Sequence, residues 1–278
     1  MPRWPEVCGL ARYAESVGLD SVWICDHLIS EPSGQPPEGV LEAWTVLSAL
    51  AASTRRVTLG TLVTCASFRH PALLAKMAAT VDGISGGRLV LGLGAGFPGL
   101  EQEAYGFPDD HRLVRFEETL EIVGGLLRAD VVTTHGRFHE LRHASLLPSP
   151  DRRIPLLVAG NGPRMLRLAA RHAQAWNTAW HGAPDDRLRA RLAEMARTLA
   201  DEGRETGTLR ITVGMSVMDP DRMGVREHEG RFAGSPDDLS RVIDEYARLG
   251  VDELIVALAP RTERSVDRLV RALTLRKF

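Results

Sequence analysis

The stretch LVLGLGAGF, Leu89 to Phe97, is an apolar run in which glycine returns at every second position, at 92, 94 and 96. Continuous apolar character over a short span reads as a strand covered on both faces. Alternate strand residues share a face, so Gly92, Gly94 and Gly96 leave one side bare while Leu91, Leu93 and Ala95 pack on the other. Interior glycine weakens a strand, and the usual compensation is close approach by a ligand or by another backbone. Three in register, ending at a loop, predict the floor of a ligand site. Tight packing against a neighbouring strand is the alternative, and it accounts equally well for Gly92 by itself. The spacing does not make a dinucleotide fingerprint: Pro98 and Gly99 follow where a helix would have to open, and no following strand ends on the required carboxylate.

Working outward, six more short apolar runs read as strands: Ser21 to Cys25, Arg56 to Thr64, Ile154 to Gly160, Ala175 to Trp180, Leu209 to Met218 and Glu253 to Ala259. Segments of helical period lie between them. The one opening at Ser235 and Pro236 and closing at Gly250 has both ends marked by capping residues. Repeated strand–helix–strand order predicts an α/β fold with a parallel sheet, closed as a (β/α)₈ barrel or open and doubly wound. Val131 to Arg142 reads as an inserted hairpin turning at Gly136, and the polar Met218 to Ser235 stretch as a mobile loop or lid. Nothing in the composition cuts the chain, so residues 1–278 are expected to form one domain.

Thirty-four basic residues against 36 acidic ones give a net charge of -2, and no basic run is interleaved with aromatics. A nucleic-acid partner is not expected. Cys8, Cys25 and Cys65 form no CxxC pair, which argues against a metal knuckle or disulfide framework and for reduced thiols. No signal peptide or bilayer-length apolar run is present, so a soluble cytoplasmic protein with no membrane partner is expected.

Two further segments carry chemistry. Asp26 and His27 directly follow the first apolar run, and in a barrel the C-terminal strand ends form the active face. A histidine there can move a proton near neutral pH, with the neighbouring carboxylate fixing its tautomer. In VAGNGPR, Val158 to Arg164, a strand enters a Gly-Asn-Gly turn and a helix with Pro163 in its first turn, an arrangement that offers backbone N–H groups to a phosphate. Arg69 and His70, before Pro71, read as a solvated helix start.

With these residues in place the chain resembles the luciferase-like flavin and deazaflavin oxidoreductases. The matching segments are GLDSVWICDHL (Gly18 to Leu28), Leu41 to Thr64, Arg69 to Phe97, EAYGFP (Glu103 to Pro108), VAGNGP (Val158 to Pro163) and Gly234 to Val256, in order over nearly the whole chain. The resemblance implies a luciferase-like (β/α)₈ TIM barrel, a small-molecule substrate, no metal and a homodimer. Many FMN-dependent members carry an arginine among the glycines; LGLGAGF has none, which implies coenzyme F420, with FMN the alternative. A non-catalytic flavin-binding protein is a second alternative.

Carried over by position, His27 lies near the carbon that exchanges hydride, with Asp26 beside it. Leu62 and Val63 match a bulge with a non-proline cis peptide behind the ring. Gly94, Ala95 and Gly96 border the ring, and Ala159, Gly160, Asn161, Gly162 and Pro163 hold the phosphate of the tail. On this view the glycines clear space for a flat tricyclic cofactor. Two departures stand out. Phe97 occupies the place where sugar-phosphate dehydrogenases of the family carry a catalytic glutamate, which implies an apolar or aromatic substrate, with Glu101 or Glu103 as partial replacements. Met1 to Pro5 is too short to supply the family's opening strand, so the first barrel strand is expected to be missing or displaced.

Overall fold

The computed structural model describes residues 3–30, 38–221 and 230–276. It divides into two compact units, Met1–Arg12 with Asp20–Ala159, and Tyr13–Leu19 with Gly160–Phe278.

In the first unit four parallel strands pair in sequence order: β1 (Ser21–Ile24), β2 (Thr58–Thr61), β3 (Leu89–Gly94) and β4 (Leu156–Ala159). The two-residue segment Thr64–Cys65 also pairs with β3, setting Thr64 opposite Leu93 and Cys65 opposite Gly94. Helix α1 (Trp4–Ser16) precedes β1, and among the described residues no strand precedes α1. Around the strands lie α2 (Ala43–Ser53), α3 (Pro71–Ser85), the short α4 (Leu100–Tyr105) and α5 (Arg112–Leu127), with α3 packed on both α2 and α5.

Side chains fix where these helices begin and end. The Glu42 carboxylate caps α2 by accepting from the backbone N–H groups of Trp44 and Thr45. At the other end Arg88 donates to the carbonyls of Ala51 and Thr54 at 2.9 Å each, satisfying groups the helix leaves open. Pro71 sits in the first turn of α3, and Gly86 closes that helix at φ 70°. The expected hairpin is present as Val132–His135 against Glu140–Ala144, its turn held by Glu118, which accepts from the N–H groups of Arg137, Phe138 and His139.

The second unit has three parallel strands, β5 (Ala175–His181), β6 (Arg210–Met218) and β7 (Glu253–Ala259), with β6 in the middle. Helices α6 (Pro163–His172), α7 (Asp186–Asp201), α8 (Pro236–Arg248) and α9 (Glu263–Thr274) accompany them. Leu188, Val213, Met215, Leu239, Ile243 and Tyr246 form the buried core of this unit. The sequence markers for α8 hold: Ser235 and Asp238 form a capping box, and Gly250 lies just past the end at φ 80°.

All seven strands expected from the apolar runs are present, four in one unit and three in the other, and each runs parallel to its neighbours within the unit. Of the proposed lid at Met218 to Ser235, residues 222–229 lie outside the described residues. Its return leg is tied down rather than free, because Phe232 donates to Ser216 O and accepts from Met218 N, both at 2.8 Å.

Candidate functional site

Past the C-terminal end of β1 burial alternates, with Cys25 and His27 exposed and Asp26 buried between them. Asp26 turns inward and its side chain is fully buried, while that of His27 is 54% exposed. Asp26 accepts from Arg69 Nη1 at 2.6 Å, from Arg69 Nη2 at 3.0 Å and from the Cys65 backbone N–H at 3.0 Å. Arg69 also pairs with Glu42. Two expectations are corrected here. Asp26 does not fix the His27 tautomer; it is one arm of a buried ion pair. Arg69 is not a solvated helix start either, since its side chain is 11% exposed. His70 does behave as a helix start, accepting from Ala72 N.

The carboxylate that meets His27 is Glu101, in the first turn of α4, at 2.9 Å from Nδ1. Its other oxygen accepts the backbone N–H groups of Leu28 and Ile29. Burial opposes ionisation of Glu101, but the N–H of Ile29, the His27 ring and the N–H of Leu28 together outweigh it and hold the carboxyl below its usual range. Glu103 is exposed.

The bare face of β3 is occupied by protein. A side chain at Gly92 would collide with the Thr61 backbone carbonyl, one at Gly94 would meet Val63 Cγ2 at 2.5 Å, and one at Gly96 would meet Cys65 Sγ at 2.6 Å. The expectation that these glycines clear space for a flat cofactor is therefore corrected: they admit the neighbouring Thr61–Cys65 segment. Close backbone approach, the alternative, is what Gly92 serves. That segment contains the non-proline cis peptide Leu62–Val63 expected from the resemblance, and a second one, not expected, joins Ala179 to Trp180.

The bulge is held by a buried chain of hydrogen bonds. Trp44 Nε1 donates to Thr64 Oγ1, which bonds Thr61 Oγ1, which donates to Gly92 O at 2.8 Å. Leu62 is buried, whereas Val63, Ala95 and Gly96 are half-buried and Phe97 is 80% exposed. Gly96 has φ 74°, and its carbonyl accepts from Arg112 at 2.9 Å.

Ala159 ends β4, in the first unit, half-buried. In the second unit Gly160 (φ 153°), Asn161 and Gly162 lead into α6 with Pro163 in its first turn. Trp176 Nε1 donates to Gly160 O at 2.8 Å and Arg191 to Asn161 O at 3.1 Å, which fixes the turn from behind. Gly162 provides no side-chain cap, so no side chain of the cap residue competes for the first N–H groups of α6. Asn161 Oδ1 is buried with no hydrogen-bond partner, as is Asn177 Oδ1 on β5, whose backbone carbonyl accepts from Gly160 N. Unmet polar groups beside an uncapped ten-residue helix are the donor and acceptor set an anionic, hydroxyl-rich cofactor tail would complete.

Arg69 and Glu42 thus join the site without having been read from sequence as its parts, whereas Glu101 was expected as a partial replacement for the family's glutamate and the structure sets it against His27. Among the described residues no group of three or more His, Cys, Asp or Glu is placed to hold a metal. No described helix is long and apolar enough to cross a membrane.

Comparison with known proteins gives the following. The family model for luciferase-like monooxygenases matches residues 1–223. An F420-dependent glucose-6-phosphate dehydrogenase from Beutenbergia cavernae is 33% identical over 268 residues, covering 92% of this chain and 76% of that protein. Among solved structures, an F420-dependent secondary alcohol dehydrogenase in complex with an F420–acetone adduct matches at TM-score 0.83 and 21% identity, covering 100% of this chain and 96% of that one. The EDTA monooxygenase from Chelativorans sp. BNC1 matches at TM-score 0.80 and 17% identity, covering 98% and 86%. These likenesses establish the luciferase-like TIM-barrel fold.

Proposed function

The chain belongs to the luciferase-like monooxygenase family of oxidoreductases, and from that premise we propose that it moves hydride between coenzyme F420 and a small organic substrate. The observation that carries this reading is the C-terminal end of β1. There a half-exposed histidine is held by a carboxylate, next to a strand whose neighbouring segment bears a cis-peptide bulge.

When bound, F420 supplies a two-electron hydride donor or acceptor. The chain's own residues do the rest. Leu62 and Val63 back the ring, with Val63 standing on Gly94, and Ala95 and Gly96 border it. Ala159, Gly160, Asn161, Gly162 and Pro163 take the phosphate of the tail, where Asn161 has an unmet polar atom. His27 exchanges the proton that accompanies hydride transfer. Asp26 supports the bulge through Cys65 N and does not touch the reactants.

The substrate we infer is apolar or aromatic rather than a sugar phosphate. Phe97 stands 80% exposed directly after the last glycine, presenting a hydrophobic face instead of an acid. Leu73 and Ile84 are exposed on α3, which favours the homodimer expected from the resemblance, to be checked by light scattering. A cytoplasmic site of action belongs to the same proposal, supported by Cys8, Cys25 and Cys65, all free thiols.

A fluorescence-quenching titration of the purified protein with F420, and in parallel with FMN, tests the proposal. Saturable binding of F420 in preference to FMN supports it. Preference for FMN, followed by oxygen consumption with the reduced flavin, replaces it with a monooxygenase, and binding of neither points to a non-catalytic protein.

A further inference from the structure

The geometry points to Glu101 as the residue that sets the tautomer of His27, so that Nδ1 carries the hydrogen and Nε2 is left as the proton-accepting atom. The inference rests on the hydride-transfer reading for its catalytic consequence, but not for the tautomer itself.

An ionised carboxylate only accepts hydrogen bonds. Glu101 Oε2 lies 2.9 Å from Nδ1, so in the neutral ring the shared hydrogen belongs to Nδ1. The other oxygen of Glu101 is committed to the N–H groups of Leu28 and Ile29, the two residues after His27. One carboxylate therefore fixes both the ring and the backbone that carries it. The Glu101 side chain is 12% exposed, against 54% for that of His27, so its bond to the ring is shielded from competing water while the ring itself reaches solvent. Among the described residues no other acid pairs with the ring: both oxygens of Asp26 are taken by Arg69, and Glu103 is exposed.

F420, when bound, would take up or supply the hydride. His27 Nε2 would accept the proton that the substrate gives up in the oxidative direction and return it in the reverse one, and the Glu101 carboxylate at Nδ1 would balance the imidazolium. Glu101 touches neither reactant and is a positioning residue.

The test is a long-range ¹H–¹⁵N spectrum of the protein labelled at histidine nitrogen, without cofactor, at mildly alkaline pH so that neutral rings are observed. The His27 signals are assigned by their loss in His27→Ala. The expected result is a hydrogen on Nδ1 in the wild type and on Nε2 in Glu101→Gln, where the amide oxygen still serves Leu28 and Ile29 while the NH₂ group faces the ring. Turnover with F420 in that variant should fall on the order of 100-fold with cofactor affinity unchanged. In a His27→Ala background the same substitution should cost nothing more. A wild-type ring hydrogen on Nε2, or a Glu101→Gln loss that persists without His27, overturns the inference. The wild-type spectrum decides even if the variant does not fold or the protein binds no F420.

Discussion

Asp26 and His27 are neighbours in sequence and opposites in role. One side chain goes inward and the next outward, so the pair that looked like a catalytic dyad is split between a buried ion pair and a half-exposed ring. The sequence reading put both on the same active face, and neither their split nor their partners were legible locally: Arg69 lies 43 residues from Asp26 and Glu101 lies 74 from His27, distances no local pattern encodes. The two residues should fail differently. Asp26→Asn leaves the Arg69 guanidinium short of a charge in a nearly closed site, with Glu42 as its remaining acidic partner, and is expected to cost about 3 kcal/mol in urea denaturation. His27→Ala takes one partner from the Glu101 carboxylate, which keeps the N–H groups of Leu28 and Ile29, so the cost to the fold should be about 1 kcal/mol or less. It should leave the denaturation midpoint close to wild type and F420 affinity intact while reducing turnover about 100-fold or more, read from single-turnover kinetics. Unchanged turnover in that variant would take His27 out of the mechanism.

The elements show the same division between what a sequence encodes and what it leaves to packing. Strand positions and the ends of α8 follow from apolar runs, Ser235, Pro236 and Gly250, because these act through local backbone geometry. Replacing Ser235 with Ala is accordingly expected to cost about 1 kcal/mol by loss of the cap, measured by denaturant titration. The glycines of β3 announced a close approach, but the sequence did not say by what. The structure answers with the Thr61–Cys65 segment, and that answer separates two otherwise identical substitutions. Gly92→Ala drives a methyl into the Thr61 carbonyl, which is backbone and fixed by pairing on β2, so the expected loss is about 3 kcal/mol or more, or failure to fold. Gly94→Ala meets a Val63 methyl at 2.5 Å, a side chain able to shift. Its expected loss is smaller, about 1–2 kcal/mol, and it should weaken F420 binding because Val63 moves with it. Equal losses in thermal and chemical denaturation at the two positions would contradict the occupancy described for this face.

For the molecule as a whole, acid is the condition that brings these buried groups into one measurement. With 34 basic and 36 acidic residues the chain carries little net charge near neutrality, so long-range repulsion is small and specific groups shape the stability curve. His139 is held below the ordinary 6.5 by burial and then by the adjacent His70 and by Arg115, against the opposing pull of Glu118. His181 is held below 6.5 by burial and by Arg187, against Asp185. Because their folded forms resist protonation, the unfolded chain takes up these protons first, and stability falls as the pH drops from about 6.5 toward the lower folded values. Glu42 and Glu101 act over a second range. Burial opposes their ionisation, yet Thr45, Trp44 and Arg69 at Glu42, and Ile29, His27 and Leu28 at Glu101, bring both below the ordinary 4.5. Their contribution is complete above that value and is lost as the pH falls through the depressed folded range. A plot of melting temperature against pH should therefore be level near neutrality, decline first below about 6.5 and decline again below about 4.5. His181→Gln, which keeps a polar side chain at that position but cannot titrate, should flatten the first decline and leave the second. A curve that stays level until the carboxylate range would show that neither histidine is protected by the fold.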